Sequence, residues 1–227
     1  MKQLLIFLTM TWALLILPIN AEAVYLFDTG QPFPSGLVPR PLGSDSPVPG
    51  VFHFLFDDSQ HLATQFSLDG DYFVTSVETF LVRGEYRSFV PASYRIYLYG
   101  NTVDNLPDLS NVYYSGLRES NLLYKDGYNW DGLSGLDWEL SSGTYWAAFE
   151  PESFEGFLVN NPSYAGPEKG AFRMYTGGPF DGIYHQSDFN KTLRISGYAA
   201  NAVPEPATLA LLGTGLLGTF VRRKFKS

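Results

Sequence analysis

The sequence predicts an all-β fold, an antiparallel β-sandwich wound in the manner of a jelly roll, and three observations predict it. Apolar, β-branched and aromatic residues alternate with polar ones at a period of two through the middle of the chain. Clusters of Gly, Asp, Asn and Pro divide that stretch into short runs. No amphipathic helix of useful length interrupts them.

The expected strands, in order, are Val24–Phe27, Val51–Phe56, Leu62–Leu68, Tyr72–Val82, Tyr94–Tyr99, Asn111–Ser115, Thr144–Phe149, Ala171–Tyr175 and Thr192–Ala199. Turn chemistry separates them at Leu68-Asp-Gly-Asp71, Tyr99-Gly-Asn101, Ser142-Gly143, Gly177-Gly-Pro179 and Asp181-Gly182. In Tyr94-Arg-Ile-Tyr-Leu-Tyr99 the period places Tyr94, Ile96 and Leu98 on one face. Residues 31–50 hold too many prolines for a central strand and read as a loop or edge crossing. No internal repeat is evident.

The two ends of the chain follow different rules from its middle. Lys2 is followed by the apolar run Leu4–Leu17, a helix-breaking Pro18 and Ala21-Glu22-Ala23, with small residues where signal peptidase reads. Residues 1–23 are therefore assigned as a signal peptide cleaved after Ala23. Residues 24–200 form the expected ectodomain, 177 residues long and sufficient for one substantial core. Between Val24 and Pro206, 22 acidic and 10 basic residues leave a net charge of −12. Such a surface repels phosphate backbones, which argues against nucleic acid as a partner. The chain has no cysteine, which excludes thiol nucleophiles, Cys-ligated zinc and cysteine-linked lipid, and leaves packing to hold an exported domain together.

Residues 201–227 carry the C-terminal signal. Pro204-Glu205-Pro206 forms a short extended stretch, because each proline fixes φ and disfavours helix before it. Residues 207–221 are free of charge and, as a transmembrane helix, would span about 22 Å of a hydrocarbon core of roughly 30 Å. Arg222, Arg223, Lys224 and Lys226 follow and hold that end in the cytoplasm. Within the segment, Gly213, Gly215 and Gly218 match a dinucleotide fingerprint letter by letter. The preceding strand and the acidic residue downstream are missing, so the glycines read as small residues of a membrane helix.

Pro-Glu-Pro, a short apolar segment and an Arg-rich end together resemble the PEP-CTERM sorting signal of Gram-negative bacteria, from Val203 to roughly Lys226. The resemblance implies that exosortase, a membrane-embedded protease/transpeptidase-like enzyme, reads Pro204, Glu205 and Pro206, and that the tail is removed after sorting. It also implies export and association with exopolysaccharide or biofilm. Leu140–Phe149, taken with Tyr94–Tyr99, is similar to segments of β-sandwich ectodomains that carry this tail.

Within the ectodomain, Asp126-Gly-Tyr-Asn129-Trp-Asp131-Gly132 is the best stretch for calcium, with alternating oxygen ligands and a glycine for the sharp turn. The EF-hand register fails, since Gly127 falls where the first Asp belongs and Trp138 where the bidentate Glu belongs. Asp126, Asn129 and Asp131 stand as candidates for a looser calcium turn, beside the simpler reading that Asp and Asn build turns. Asp57-Asp58 and Asp69-Gly-Asp71 invite the same two readings. Tyr128, Trp130, Trp138, Tyr145 and Trp146 could stack on pyranose rings or pack in the core. Tyr128 and Trp130, in a polar Gly/Asp stretch, are expected to form the exposed pair, and Trp146, within a strand, to be core.

Catalytic signals are missing from the pattern. There is no G-x-S-x-G, the nearest stretch being Gly132-Leu-Ser134-Gly135. The histidines are only His53, His61 and His185, without zinc spacing. With so many acids, a carboxylate pair for glycoside hydrolysis carries no discriminating weight.

The reading is a non-enzymatic exported protein, tethered to the inner membrane by its tail and then passed to the cell surface or secreted. Its expected partners are signal peptidase, exosortase and a surface polysaccharide. No cofactor is expected, and calcium on one acidic loop stands only as an alternative. The alternatives are a carbohydrate-binding module and a secreted polysaccharide-active enzyme.

Overall fold

The period-two runs become paired strands. The computed structural model describes residues 23–31, 53–56, 60–83, 92–153, 156–159, 169–174, 184–187 and 191–200. These form β1 (Val24–Asp28), β2 (His53–Phe56), β3 (Gln60–Leu68), β4 (Tyr72–Arg83), β5 (Ala92–Asn101) and β6 (Pro107–Ser120). The series continues with β7 (Asn129–Leu140), β8 (Gly143–Pro151), β9 (Gly156–Val159), β10 (Gly170–Met174), β11 (His185–Ser187) and β12 (Arg194–Ala199). Among the described residues the only helical element is a 3-10 turn at Tyr124–Asp126. Residues 1–22 and 201–227 lie outside this set, and with them most of the expected signal peptide, the Pro204–Pro206 motif and the expected membrane helix. Among the described residues no helix is long and apolar enough to cross a membrane. Val51, Phe52, Asp57, Asp58, most of the Pro-rich loop and the Gly177–Gly182 turns also lie outside the set.

Among the described residues every pairing is antiparallel, and the pairs are nested. β5 pairs with β6, β4 with β7 around them, β3 with β8 around those, and β1 with β12 outermost. Successive pairs alternate between two sheets, so one long hairpin is wound into a sandwich, the winding of a jelly roll. One sheet carries β1, β12, β4 and β7, with β9 and β2 beyond; the other runs β11-β10-β3-β8-β5-β6. Residues Ala23–Ala200 form one compact unit.

Inward side chains of both sheets fill the core. Leu62 and Phe66 of β3, Val74 and Val77 of β4, Ile96 and Leu98 of β5, Phe149 of β8 and Ile195 of β12 are all fully buried in one cluster. The rings interlock, with Phe66 stacked on Tyr145 at 5.6 Å and tilted against Phe27 at 6.1 Å. Tyr94, Ile96 and Leu98 share this inner face, as the alternation requires.

β4 shows how a polar residue can complete a sheet. One edge of β4 pairs with β12 as far as Glu78 and then with β9 from Leu81. In the gap, Thr192 replaces a ladder partner. Its hydroxyl accepts from the Phe80 N–H at 3.0 Å, and its carbonyl accepts from the Thr79 hydroxyl at 2.7 Å. The strand expected from Thr192 accordingly starts at Arg194.

Three strands depart from expectation: β7, β9 and β11 fall where no strand is predicted. The strand expected at Asn111–Ser115 extends over Pro107–Ser120. The turn expected at Tyr99-Gly-Asn101 lies further on, because those residues continue β5. Asn105 makes the bend instead, at φ 62°. The left-handed region is one that Asn tolerates better than most residues.

Candidate functional site

The Asp126–Asp131 segment is where the expectations concentrated, and its second half is strand rather than loop. A 3-10 turn ends at Asp126, Gly127 takes φ 67°, and β7 starts at Asn129. Asp126 accepts from the Leu123 N–H at 2.8 Å, and Asn129 donates to the Asp126 carbonyl at 2.8 Å, so these two residues close the turn. Asp131 is drawn elsewhere. It is only 4% exposed and faces inward between the sheets, where it accepts from the Tyr94 hydroxyl at 3.0 Å and from Arg118 Nε at 2.8 Å. A second nitrogen of Arg118 completes the ion pair. The three candidate calcium ligands therefore serve two separate jobs. Among the described residues no group of three or more Asp, Glu or His side chains is placed to hold a metal ion. Asp69 and Asp71 are likewise engaged in a turn, accepting from the Tyr72 hydroxyl and the Ser142 N–H.

The glycine read as a loop residue has a packing role. A Cβ at Gly132 would lie 2.0 Å from the Val77 carbonyl oxygen, so only glycine lets β7 approach β4 here.

The expected exposed aromatic pair is corrected. Tyr128 is 1% exposed, its ring stacked against the buried Phe80 at 6.1 Å, and a ring so enclosed has no face to offer a sugar. Trp130, opposite Phe80 in the ladder, is half-buried, and its indole N–H is enclosed without a hydrogen-bond partner. The Arg194 guanidinium lies 4.0 Å from the Trp130 ring and 4.6 Å from that of Tyr25, which is 61% exposed. Arg194 also pairs with Asp28 at 3.2 Å. On this outer face a cation thus sits between two rings, held by a carboxylate. Glu78 lies in the same field; burial raises its pKa while Arg194 opposes the rise.

The remaining candidate rings are packed. Trp138 stacks on Tyr114 at 5.1 Å, and Tyr145 lies in the core. Trp146 is fully buried in β8 but outside the inter-sheet core. It joins Ala63, Tyr99, Ala148, Ala171 and Tyr184 in a second cluster on the outer face of its sheet.

That outer face holds a polar centre that sequence reasoning missed. Glu150 Oε1 accepts from the hydroxyls of Tyr99 and Tyr184, each at 3.1 Å. His61 Nδ1 and an Arg173 nitrogen each lie 3.3 Å from Oε2. Burial alone would raise the Glu150 pKa, but His61, Arg173 and Tyr184 outweigh it and hold the carboxyl below its ordinary value. Burial beside this carboxylate pushes the Tyr99 and Tyr184 hydroxyls well up. The only sequence signal would have been cross-strand register, which brings Arg173 beside His61. A carboxylate with both oxygens so occupied is a fixed anion, poorly placed to exchange protons with a substrate.

Lys191 is a second missed feature: fully buried, with its pKa lowered to about 7 by desolvation.

Comparison with protein families bears on the tail rather than on the sandwich. Residues 202–224 match the PEP-CTERM protein-sorting motif. The motif marks an exported protein sorted by exosortase, and the compact unit ends at Ala200, immediately before the match. No curated protein matches the chain significantly.

Proposed function

We propose that this is a non-enzymatic component of the cell surface or extracellular matrix, exported as a precursor, sorted through its PEP-CTERM tail and associated with exopolysaccharide. The observation that carries the reading is the motif at residues 202–224, joined directly to a self-contained sandwich. The apolar segment 207–221 tethers the precursor to the inner membrane, and the bases after it remain in the cytoplasm. Exosortase then reads Pro204-Glu205-Pro206 and removes the tail. Two enclosed carboxylates support a structural role, because Asp131 and Glu150 are each saturated by Arg and Tyr partners. Replacing Pro204, Glu205 and Pro206 together by alanine tests the sorting step. The variant is expected to accumulate in the membrane fraction while the native chain reaches the surface or matrix fraction. An unchanged distribution would overturn the reading.

One observation favours a second reading, contact with a carbohydrate. Tyr25 is exposed beside Arg194, Asp28 and the half-buried Trp130, a face that combines a ring with hydrogen-bonding charges. Trp130→Ala is expected to weaken retention on the cell's own polysaccharide. Unchanged retention would assign Trp130 to packing alone.

A further inference from the structure

A sheet ends in a row of backbone N–H and C=O groups, and proteins blunt such edges with short strands, bulges or charged side chains. The terminal strands described here are β1, β2 and β7 of one sheet and β6 and β11 of the other. β2 and β11 have only four and three residues. β1 has five, with a register shift between Tyr25 and Phe27. β7 is long but carries Asp131, Asp137 and Glu139 and breaks at Gly135, whose φ is 68°.

β6 is different. It runs for 14 residues and, among the described residues, pairs with β5 alone. Three of the six exposed large apolar side chains of the described residues lie on it: Val112, Tyr113 and Leu117. Its register shifts fall before Tyr114, which leaves Tyr114–Ser120 a regular ladder against β5. In that stretch the charge of Arg118 is already taken by Asp131, so only Glu119 faces outward uncompensated.

We propose that β6 is a self-association edge, on which a second copy of this chain adds its own β6 in antiparallel register about Leu117. In that register Leu117, 42% exposed, meets its own symmetry mate. Ser115 lies opposite Glu119 of the other copy on both sides of the axis, so the hydroxyl donates to the one outward carboxylate. Gly116, closed over on its inner side by Leu133, lies opposite Arg118, whose side chain stays turned to the Asp131 of its own chain. The seam is self-complementary and adds no unpaired charge, which an acidic molecule needs to approach its own copy. A ladder of about seven residues buries less than the roughly 1,200–2,000 Å² of a stable interface, so the dimer is concentration-dependent.

The chain has no cysteine, which makes single-cysteine variants clean probes. The processed protein, purified from the surface or extracellular fraction of its native host, is compared as Leu117→Cys and as Val103→Cys, a fully exposed turn residue. Mild oxidation is expected to link Leu117→Cys into a species of twice the chain mass and to leave Val103→Cys largely unlinked. In sedimentation, Leu117→Lys is expected to lose the concentration-dependent doubling of mass. The proposal is overturned if the native chain stays monomeric at every concentration. It is also overturned if both cysteine variants cross-link equally, or if the linked product contains a different protein. Because export is not measured, failure here leaves the sorting reading standing.

Discussion

Tyr94 of β5 donates a 3.0 Å hydrogen bond to Asp131 of β7, and that contact crosses from one sheet of the sandwich to the other. Arg118 reaches the same carboxylate from β6, so three strands meet at one buried anion. Removing the carboxylate takes a partner from both. Asp131→Ala is expected to cost about 2–3 kcal/mol, because the buried Tyr94 hydroxyl loses its acceptor while the one-third-exposed Arg118 can turn to water. Tyr94→Phe leaves Arg118 in place and is expected to cost about 1 kcal/mol. Denaturant unfolding of the two variants checks the ordering, and equal losses would contradict it.

Lys191 makes stability depend on alkaline pH. Its folded pKa is about 7, below the ordinary 10.5. Between those values the unfolded chain carries a proton that the folded chain lacks, so stability rises with pH. The slope is at most about 1.4 kcal/mol per pH unit. Lys191→Met is expected to flatten that rise between about pH 7.5 and 9.5. Chemical denaturation across the window measures it, and an unchanged slope would refute the assignment.

Glu150 acts on the acid side with the opposite sign. Its folded pKa lies below the ordinary 4.5, so its stabilisation is present above that value and is lost as pH falls through the folded one. Glu150→Gln is expected to lower stability at neutral pH and to make the acid limb shallower. Thermal melts from about pH 6 to 3 follow both effects. A variant as stable as the native chain at pH 6 would remove the carboxylate from its anchoring role.

Calcium is expected to add nothing through the Asp126–Asp131 segment, because its carboxylates already serve a backbone N–H and an arginine. Millimolar calcium, or chelation, should leave the melting midpoint unchanged. A rise with calcium that Asp126→Asn abolishes would contradict this.

The strands that the sequence revealed were those whose inward residues are apolar. Tyr94, Ile96 and Leu98 alternate cleanly and are buried together. β7 hid behind its composition: its inward residues at the start include Asp131, which is tolerable only because Arg118 lies opposite. Gly132 resembled a loop residue because the close approach of β4 forbids a Cβ. Tyr128 looked exposed among polar neighbours, yet Phe80, far away in sequence, encloses it. Glu150, His61 and Arg173 converge only through the register of β8, β3 and β10, which local pattern does not encode.

Export and sorting are tested most directly by mass spectrometry of the protein recovered from its native host. The account predicts a chain that begins at Val24, lacks the segment after the Pro-Glu-Pro motif, and is found in the surface or extracellular fraction. An intact chain of 227 residues in the cytosol would contradict it.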